Sequence, residues 1–359
     1  MVIYKLSIFW GKVEGLRKKM SFVLISLIIV FIFAKVLQVK TSEVKVAAKL
    51  DVVKNDLIID NRGSIHFEEN DYFKKYIITL KEETKDIDWK ETSDFIEIKL
   101  DKQYIDNLGI SHTDKKILNE ITAKKNNDEI NINIKKTYNK NFVFKDLRDG
   151  KKVIVLIGKV EKPYDYKVIL DPGHGAYDVG TNRQELKEKD ITLKIAKYAV
   201  NDLIYNGCDV VLTRDKDIVP RNAKNSKEDV RARAAIANEE NGDLFISIHV
   251  NDFTDNVQKG ITTYYFCPNN FQLEERKKLA KLVQEQLIKD DGWKDRGIKS
   301  ENFGVLRTTN MPSILIECGY ISNQEDRDRL TNDKMLRNIA YNLSEGVIDY
   351  LKTIPKNKK

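Results

Sequence analysis

Short apolar runs alternate with helical patterns over residues 165–352. The runs lie at residues 167–171, 209–213, 244–248, 261–266 and 313–316. Apolar residues at helical spacing predict helices at residues 191–203, 230–238, 273–288 and 333–351. We interpret Asp190 as the N-cap of the first helix and Gly207 as its stop. Near-continuous apolar strands that alternate with helices predict an α/β fold, with a mostly parallel sheet flanked by helices.

Residues 45–162 have a different, strand-like pattern. Apolar and polar residues alternate with period two, which is typical of half-buried strands. The clearest runs are at residues 75–80, 94–100, 129–134 and 152–157. We expect a small β-rich domain here and place its end at the polar break Glu161-Lys162-Pro163. His66 and His112 stand alone in this region, so we interpret both as ordinary histidines.

A third pattern lies at the N-terminus. Residues 20–34 are uncharged and almost wholly apolar, with Arg17-Lys18-Lys19 before them and Lys35 after them. A cleaved signal peptide would need small residues close behind the run, and a buried helix would need a polar face. We therefore predict a retained signal-anchor transmembrane helix, with a cytoplasmic tail, in residues 1–44. The β-rich domain (45–162) and the α/β domain (163–359) would then lie outside the cell membrane.

Composition and charge narrow the functional classes. The chain is 41% hydrophobic and 33% charged, which is typical of a globular protein. Seven cations and one anion in residues 1–40 account for +6 of the net charge of +7. Because the rest of the chain is nearly neutral, we expect no nucleic acid as a partner. The three cysteines form no CxxC pair and are interpreted as small apolar residues rather than as a disulfide framework.

Candidate catalytic residues follow the predicted strands, where active sites gather in such sheets. His174, His249 and Glu317 each stand where an apolar run stops, and Glu188 lies in the polar loop before the first helix. Two histidines and one carboxylate are a typical ligand set for catalytic zinc, so His174, Glu188 and His249 are the candidate metal ligands. Glu317 is the candidate general base and acid.

Other interpretations of these residues remain open at this point. Glu185 competes with Glu188 as the carboxylate ligand, and a single histidine at a strand end is more often structural. Asp171 could orient His174 or cap a helix. The ligands are spread along the chain rather than forming a compact local motif, so spacing alone does not establish a metal site.

Several blocks of the sequence together resemble the zinc-dependent N-acetylmuramoyl-L-alanine amidases (amidase type 3). The blocks occur in order at residues 169–175, 188–196, 212–214, 231–238, 245–251, 305–307 and 312–323. The resemblance implies a six-stranded sheet with helices around it. It also implies zinc on His174, Glu188 and His249, Glu317 as the catalytic acid and base, and peptidoglycan as the substrate. The bond cut would be the amide between the lactyl group of N-acetylmuramic acid and L-alanine.

Two other functions compete with the amidase hypothesis. The first is a catalytically silent domain that binds the cell wall or a partner, which the presence of all four site residues disfavours. The second is a zinc peptidase on a related scaffold, which the metal site alone does not exclude. We expect attachment through residues 1–40 or through the β-rich domain, which we expect to position the enzyme on glycan or on a partner. An activator protein is possible, but the sequence does not identify one.

Overall fold

The computed structural model describes residues 58–59, 63–84, 87–110, 117–145, 150–161, 164–183, 185–289 and 292–354. The predicted signal anchor and His112 lie outside these residues, as do residues 162–163 of the predicted domain boundary. Within the described part of the chain, none of the helices has the length and apolar character needed to cross a membrane.

The N-terminal β region, residues 58–158, forms two antiparallel-rich sheets. Its strands are β1 (Ile58–Ile59), β2 (Ile65–Glu69), β3 (Phe73–Thr79), β4 (Asp88–Glu91), β5 (Phe95–Asp101), β6 (Gly109–Ile110), β7 (Ile121–Lys125), β8 (Glu129–Lys135), β9 (Asn141–Lys145) and β10 (Lys152–Gly158). The strand orders are β1-β6-β2-β3-β10-β9 and β4-β5-β8-β7. The alternating isoleucines of β5 and β8 point into a shared core, so the predicted period-two strands are confirmed.

Residues 166–351 form the second unit. Its strands are β11 (Tyr166–Pro172), β12 (Asn182–Arg183), β13 (Leu186–Lys187), β14 (Cys208–Leu212), β15 (Leu244–Asn251), β16 (Ile261–Tyr265), β17 (Asp295–Ser300) and β18 (Ser313–Tyr320). Six of them form one sheet in the order β14-β11-β15-β18-β16-β17. All neighbours in this sheet are parallel except β16 and β18. The predicted six-stranded, mostly parallel sheet is therefore confirmed as a mixed sheet.

Helices cover both faces of this sheet. They are α1 (Glu188–Tyr205), α2 (Ser226–Glu239), α3 (Leu273–Leu287), α4 (Gly304–Thr308), α5 (Gln324–Thr331) and α6 (Asp333–Leu351). Apolar side chains of α1, α3 and α6 pack in the core on one face, and those of α2 and α4 pack in the core on the other. Burial on both faces explains why β11, β15 and β18 are mostly apolar rather than alternating.

The helix boundaries correct two expectations. Helix α1 begins at Glu188, so Asp190 lies in its first turn and the prediction of Asp190 as N-cap was wrong. The capping position is Lys187, whose side chain makes no capping hydrogen bond. Helix α2 begins at Ser226, earlier than predicted, because the Asn225 side chain accepts a hydrogen bond from the Glu228 amide at 3.0 Å. Gly207 follows the end of α1 with φ of 83°, as a helix stop should.

The N-terminal β region contacts the carboxyl end of α1. The Asn70 side-chain amide donates to the Tyr205 carbonyl oxygen at 2.7 Å, and the Lys75 Nζ lies 4.6 Å from the centre of the Tyr205 ring. A Cβ on Gly207 would lie 2.6 Å from the Tyr72 ring, so only glycine permits this approach. The same helix carries Glu188 at its other end.

Candidate metal centre and catalytic carboxylate

His174, Glu188 and His249 converge at the carboxyl ends of β11 and β15. One atom of each of these three side chains lies within 4.8 Å of the others. The Glu188 Oε2 is 3.2 Å from His174 Nε2, and its Oε1 is 2.9 Å from His249 Nδ1. Two backbone amides, those of Thr181 and Val250, donate to the same carboxylate at 2.8 and 2.9 Å. The carboxylate is therefore fixed between two imidazoles.

The turn that carries His174 is strained and tightly packed. His174 has φ of 61°, in the left-handed region that few non-glycine residues adopt. Its Nδ1 lies 2.8 Å from Asp178 Oδ2, which favours a proton on Nδ1 and leaves Nε2 for a metal. A Cβ on Gly173 would lie 2.4 Å from the His249 ring, and one on Gly180 would lie 2.4 Å from Glu188 Oε2. Glycine at both positions lets backbone approach the donors.

Two buried arginines hold the backbone of this turn. Arg233, 3% exposed, donates to the Pro172 and His174 carbonyl oxygens, each at 2.7 Å. Arg214, 2% exposed, donates to the carbonyl oxygens of Pro172 at 2.9 Å and of Gly173 at 2.8 Å. Five N–H groups on a rigid plane suit a guanidinium to bind several carbonyl oxygens at once.

Asp171 neutralises one of these arginines. Its buried carboxylate accepts hydrogen bonds from Arg233 at 2.8 Å, from Thr213 at 2.6 Å and from Ser247 at 2.8 Å. Burial alone would raise the pKa of Asp171, but the Arg233 charge and these hydrogen bonds outweigh burial and lower it. Asp171 therefore neither touches the His174 side chain nor caps a helix. It binds Arg233, which in turn donates to the His174 carbonyl oxygen.

Glu317 lies in β18 beside His249 of β15. The two residues are paired in the strand register, and Thr262 of β16 pairs with Glu317 on the other side. The Glu317 Oε2 is buried and makes no hydrogen bond with any described residue. Burial, followed by the nearby Glu188 charge, raises the pKa of Glu317 well above its ordinary value. A carboxyl group in this condition holds a proton more readily than an exposed one does.

The donor set fits a divalent metal ion. Zinc bound tetrahedrally at about 2.1 Å would place its ligand atoms roughly 3.4 Å apart, and the 3.2 Å between Glu188 Oε2 and His174 Nε2 is close to that separation. The electrostatics also fit a cation. Desolvation lowers the pKa of His174, but the Glu188 and Asp178 carboxylates outweigh it and raise the pKa to about 9. The pKa of Glu188 falls below its usual range, since contacts with the two histidines outweigh its desolvation. This is a pocket that stabilises positive charge.

The structure brings together all four residues that the sequence singled out. Glu188 lies between the imidazoles, whereas Glu185 is exposed and outside the cluster. His66 is exposed and distant from the cluster. No sequence pattern singles out Asp178, and the roles of Arg214 and Arg233 are visible only in the structure. Asp178 is four residues from His174, and only the turn closed by the Gly175–Asp178 bridge brings the two side chains together.

The cysteines carry no evident chemistry. All three are free thiols; Cys208 and Cys318 are buried, as the interpretation of small apolar residues requires, whereas Cys267 is half-buried and departs from it. Burial raises the pKa of Cys208 to about 12 and that of Cys318 further still, so neither is a thiolate at neutral pH.

Comparison with known proteins identifies the family of the α/β unit. A family described as N-acetylmuramoyl-L-alanine amidase matches residues 168–349. The Bacillus subtilis protein YqiI is 32% identical over 183 residues, which is 51% of this chain and 84% of YqiI. The B. subtilis N-acetylmuramoyl-L-alanine amidase LytC is 32% identical over the same length, 51% of this chain but 35% of LytC.

A solved structure is also similar. The N-acetylmuramoyl-L-alanine amidase from Clostridium difficile 630 is 36% identical, with a TM-score of 0.48, and the match covers 53% of this chain and 98% of that one. Coverage differs between the two B. subtilis relatives: the chain spans about a third of LytC but most of YqiI. The match over residues 168–349, half of the sequence, is decisive: the chain belongs to the N-acetylmuramoyl-L-alanine amidase family.

Proposed function

We propose that this chain hydrolyses the amide bond between the lactyl group of N-acetylmuramic acid and L-alanine in peptidoglycan. The observation that carries the proposal is a buried, unpaired carboxyl oxygen of Glu317 one strand away from His249, in a chain of the amidase family. A carboxyl group beside a metal-ligand cluster is the arrangement that metal-assisted hydrolysis needs.

His174, Glu188 and His249 would hold one zinc ion in this proposal. Zinc bound there supplies Lewis acidity, which polarises a carbonyl oxygen and makes water more acidic. Asp178 keeps Nε2 of His174 directed at the cluster, and Glu188 is held by the amides of Thr181 and Val250. These contacts fix the ligands before a metal binds, which lowers the cost of assembling the site.

Glu317 would transfer the proton in the reaction. Its carboxylate accepts a proton from the attacking water and then donates it to the departing amine of L-alanine. The raised pKa of Glu317 favours the protonated form that the second step requires. Neighbouring strands are about 4.8 Å apart, so Glu317 and the ligand His249 can act on the same bond.

We also propose that residues 1–44 anchor the chain in the cell membrane, with the catalytic unit on the outer side. The support is the apolar run and its cationic N-terminal flank. Membrane fractionation of the full chain, beside a variant that lacks residues 1–44, tests this proposal. The full chain is expected in the membrane fraction and the shortened chain in the soluble fraction. Equal distribution of the two would refute the anchor.

Digestion of purified peptidoglycan with added zinc tests the catalytic proposal, with products read by mass spectrometry. We expect free stem peptides that begin with L-alanine, and their loss in Glu317→Ala. Cuts inside the peptide would instead identify a zinc peptidase. Binding to the wall with no new termini would identify a silent binding domain, unless an added activator protein restored cleavage.

A further inference from the structure

Arg296 occupies the far end of a row of residues that crosses the active-site sheet. His249 pairs with Glu317, Glu317 pairs with Thr262, and the register between β16 and β17 shifts opposite Thr262. Ile261 pairs with Asp295 and Thr263 with Ile298, so Arg296 and Gly297 both lie opposite Thr262. The row therefore runs from a candidate metal ligand, through the candidate catalytic carboxyl group, to an arginine.

The Arg296 guanidinium lies over an aromatic ring near Glu317. Its central carbon is 5.1 Å from the centre of the Tyr320 ring, and Tyr320 lies in β18 three residues after Glu317. Burial raises the pKa of Tyr320; the positive charge of Arg296 acts against this rise, and Glu317 adds to it. The same two charges act on Tyr264 of β16. Arg296, both tyrosines and Glu317 thus share one electrostatic neighbourhood.

Arg296 lacks the partner that a half-buried arginine normally has. Its Nε is buried and unpaired, and Nη1 makes one long bond of 3.4 Å to the Lys259 carbonyl oxygen. Among the described residues, no carboxylate oxygen lies within 4.0 Å of it. The adjacent Asp295 carboxylate is already used, since it accepts from Gln284 and from the Gly297 amide, each at 2.7 Å.

The contact with Tyr320 occupies none of the Arg296 N–H groups in a hydrogen bond. A guanidinium that lies over a ring uses its face, whereas its N–H groups project in the plane and match a carboxylate bidentately. The neighbouring position is open, because a Cβ on Gly297 would meet nothing within 4 Å. There is therefore open space beside Arg296 in β17.

Distance indicates which part of the substrate reaches Arg296. Two strand spacings separate its backbone from that of Glu317, which is roughly 10 Å. An extended peptide advances about 3.3–3.6 Å per residue, so roughly 10 Å corresponds to two or three residues beyond the cleaved bond. The carboxyl group of muramic acid is itself part of that bond. For a stem peptide that runs from the cleaved bond toward β17, the free carboxylates at this distance lie on its second or third residue.

We propose that Arg296 is a specificity-determining residue that binds a free carboxylate on the second or third residue of the stem peptide. The inference rests on the proposed amidase function and adds a preference within it. An amidated stem peptide, which presents a carboxamide at that position, loses the charge-assisted bidentate contact. The chain then distinguishes peptidoglycan with free stem carboxylates from peptidoglycan in which they are amidated.

The test uses the full, zinc-loaded chain and three synthetic muramyl peptides. One has free carboxylates on the second and third residues, one is amidated at the second and one at the third. We expect kcat/KM to be about 10- to 100-fold higher for the free acid than for the peptide amidated at the contacted residue, the range for a charged hydrogen bond. Arg296→Gln should abolish this ratio, and Arg296→Lys should restore only part of it.

Arg329→Gln is the matched control. Arg329 also lies over an aromatic ring, with 4.9 Å to Trp293, but it already pairs with Glu325 at 2.9 Å. Its loss should leave the substrate ratio unchanged. An equal fall in kcat/KM on all three peptides in Arg296→Gln would mean a purely structural role and overturn the inference. So would equal cleavage of the three by the unaltered chain. Cleavage of none by the unaltered chain would instead refute the amidase function and the inference with it.

Discussion

Replacing Asp171 by alanine should strongly destabilise the α/β unit. The substitution leaves the Arg233 charge, 3% exposed, with Asp229 as its remaining carboxylate partner, and it removes the acceptor of Thr213 and Ser247. Breaking a buried ion pair on one side costs about 3–5 kcal/mol, a large share of the roughly 5–15 kcal/mol that stabilises a typical domain. For a unit of this size the melting temperature should fall by roughly 6–20 °C.

Thermal unfolding of zinc-depleted protein, followed by circular dichroism, measures this effect without the stabilisation that a bound ligand adds. Asp209→Ala is the control, since Asp209 is exposed and 3.8 Å from Lys167. Its loss should cost less than about 1 kcal/mol. If Asp171→Ala melted within a degree or two of the control, the buried network would not support the fold and the role given to Arg233 would be wrong.

Three further predictions concern the turn that carries His174. Because the pKa of Asp171 is lowered in the folded state, its contribution to stability is complete above about pH 4 and declines as pH falls further. The difference in free energy of unfolding between the unaltered chain and Asp171→Asn should therefore shrink when urea titrations are repeated at progressively lower pH. Asp178→Asn should weaken zinc binding about 10- to 100-fold in chelator competition, and an unchanged affinity would show that Asp178 does not orient His174. Gly173→Ala should abolish zinc binding in the same assay while the far-ultraviolet spectrum is retained, because its Cβ would lie 2.4 Å from the His249 ring.

The sequence predicted the strands and helices whose apolar pattern is set by the core. The alternating isoleucines of β8 face one core, and the apolar residues of α6 face another, so their periods are visible in the sequence. Strand β17 (Asp-Arg-Gly-Ile-Lys-Ser) was missed because it is a polar edge strand with a register shift. Helix α5 was missed because seven of its eight residues are polar.

The sequence located only those site residues whose position follows from the strand pattern. Strand ends located His174, His249 and Glu317, because parallel strands bring their carboxyl ends to one edge of the sheet. Asp178 could not be found in this way, since its contact with His174 depends on a turn with left-handed backbone at His174. Arg296 also escaped notice, because its place opposite Thr262 depends on the β-bulge rather than on any local pattern.

Zinc titration coupled to cleavage is the sharpest test of the proposed metal centre. The zinc-depleted chain is titrated with Zn²⁺ while hydrolysis of N-acetylmuramoyl-L-alanyl peptide is recorded, beside His249→Ala. We expect no cleavage without metal, a rise that ends at about one equivalent of zinc, and no comparable rise in the variant. Full cleavage by the metal-depleted chain, or the same titration curve in His249→Ala, would contradict the assignment of His174, Glu188 and His249 as the metal centre.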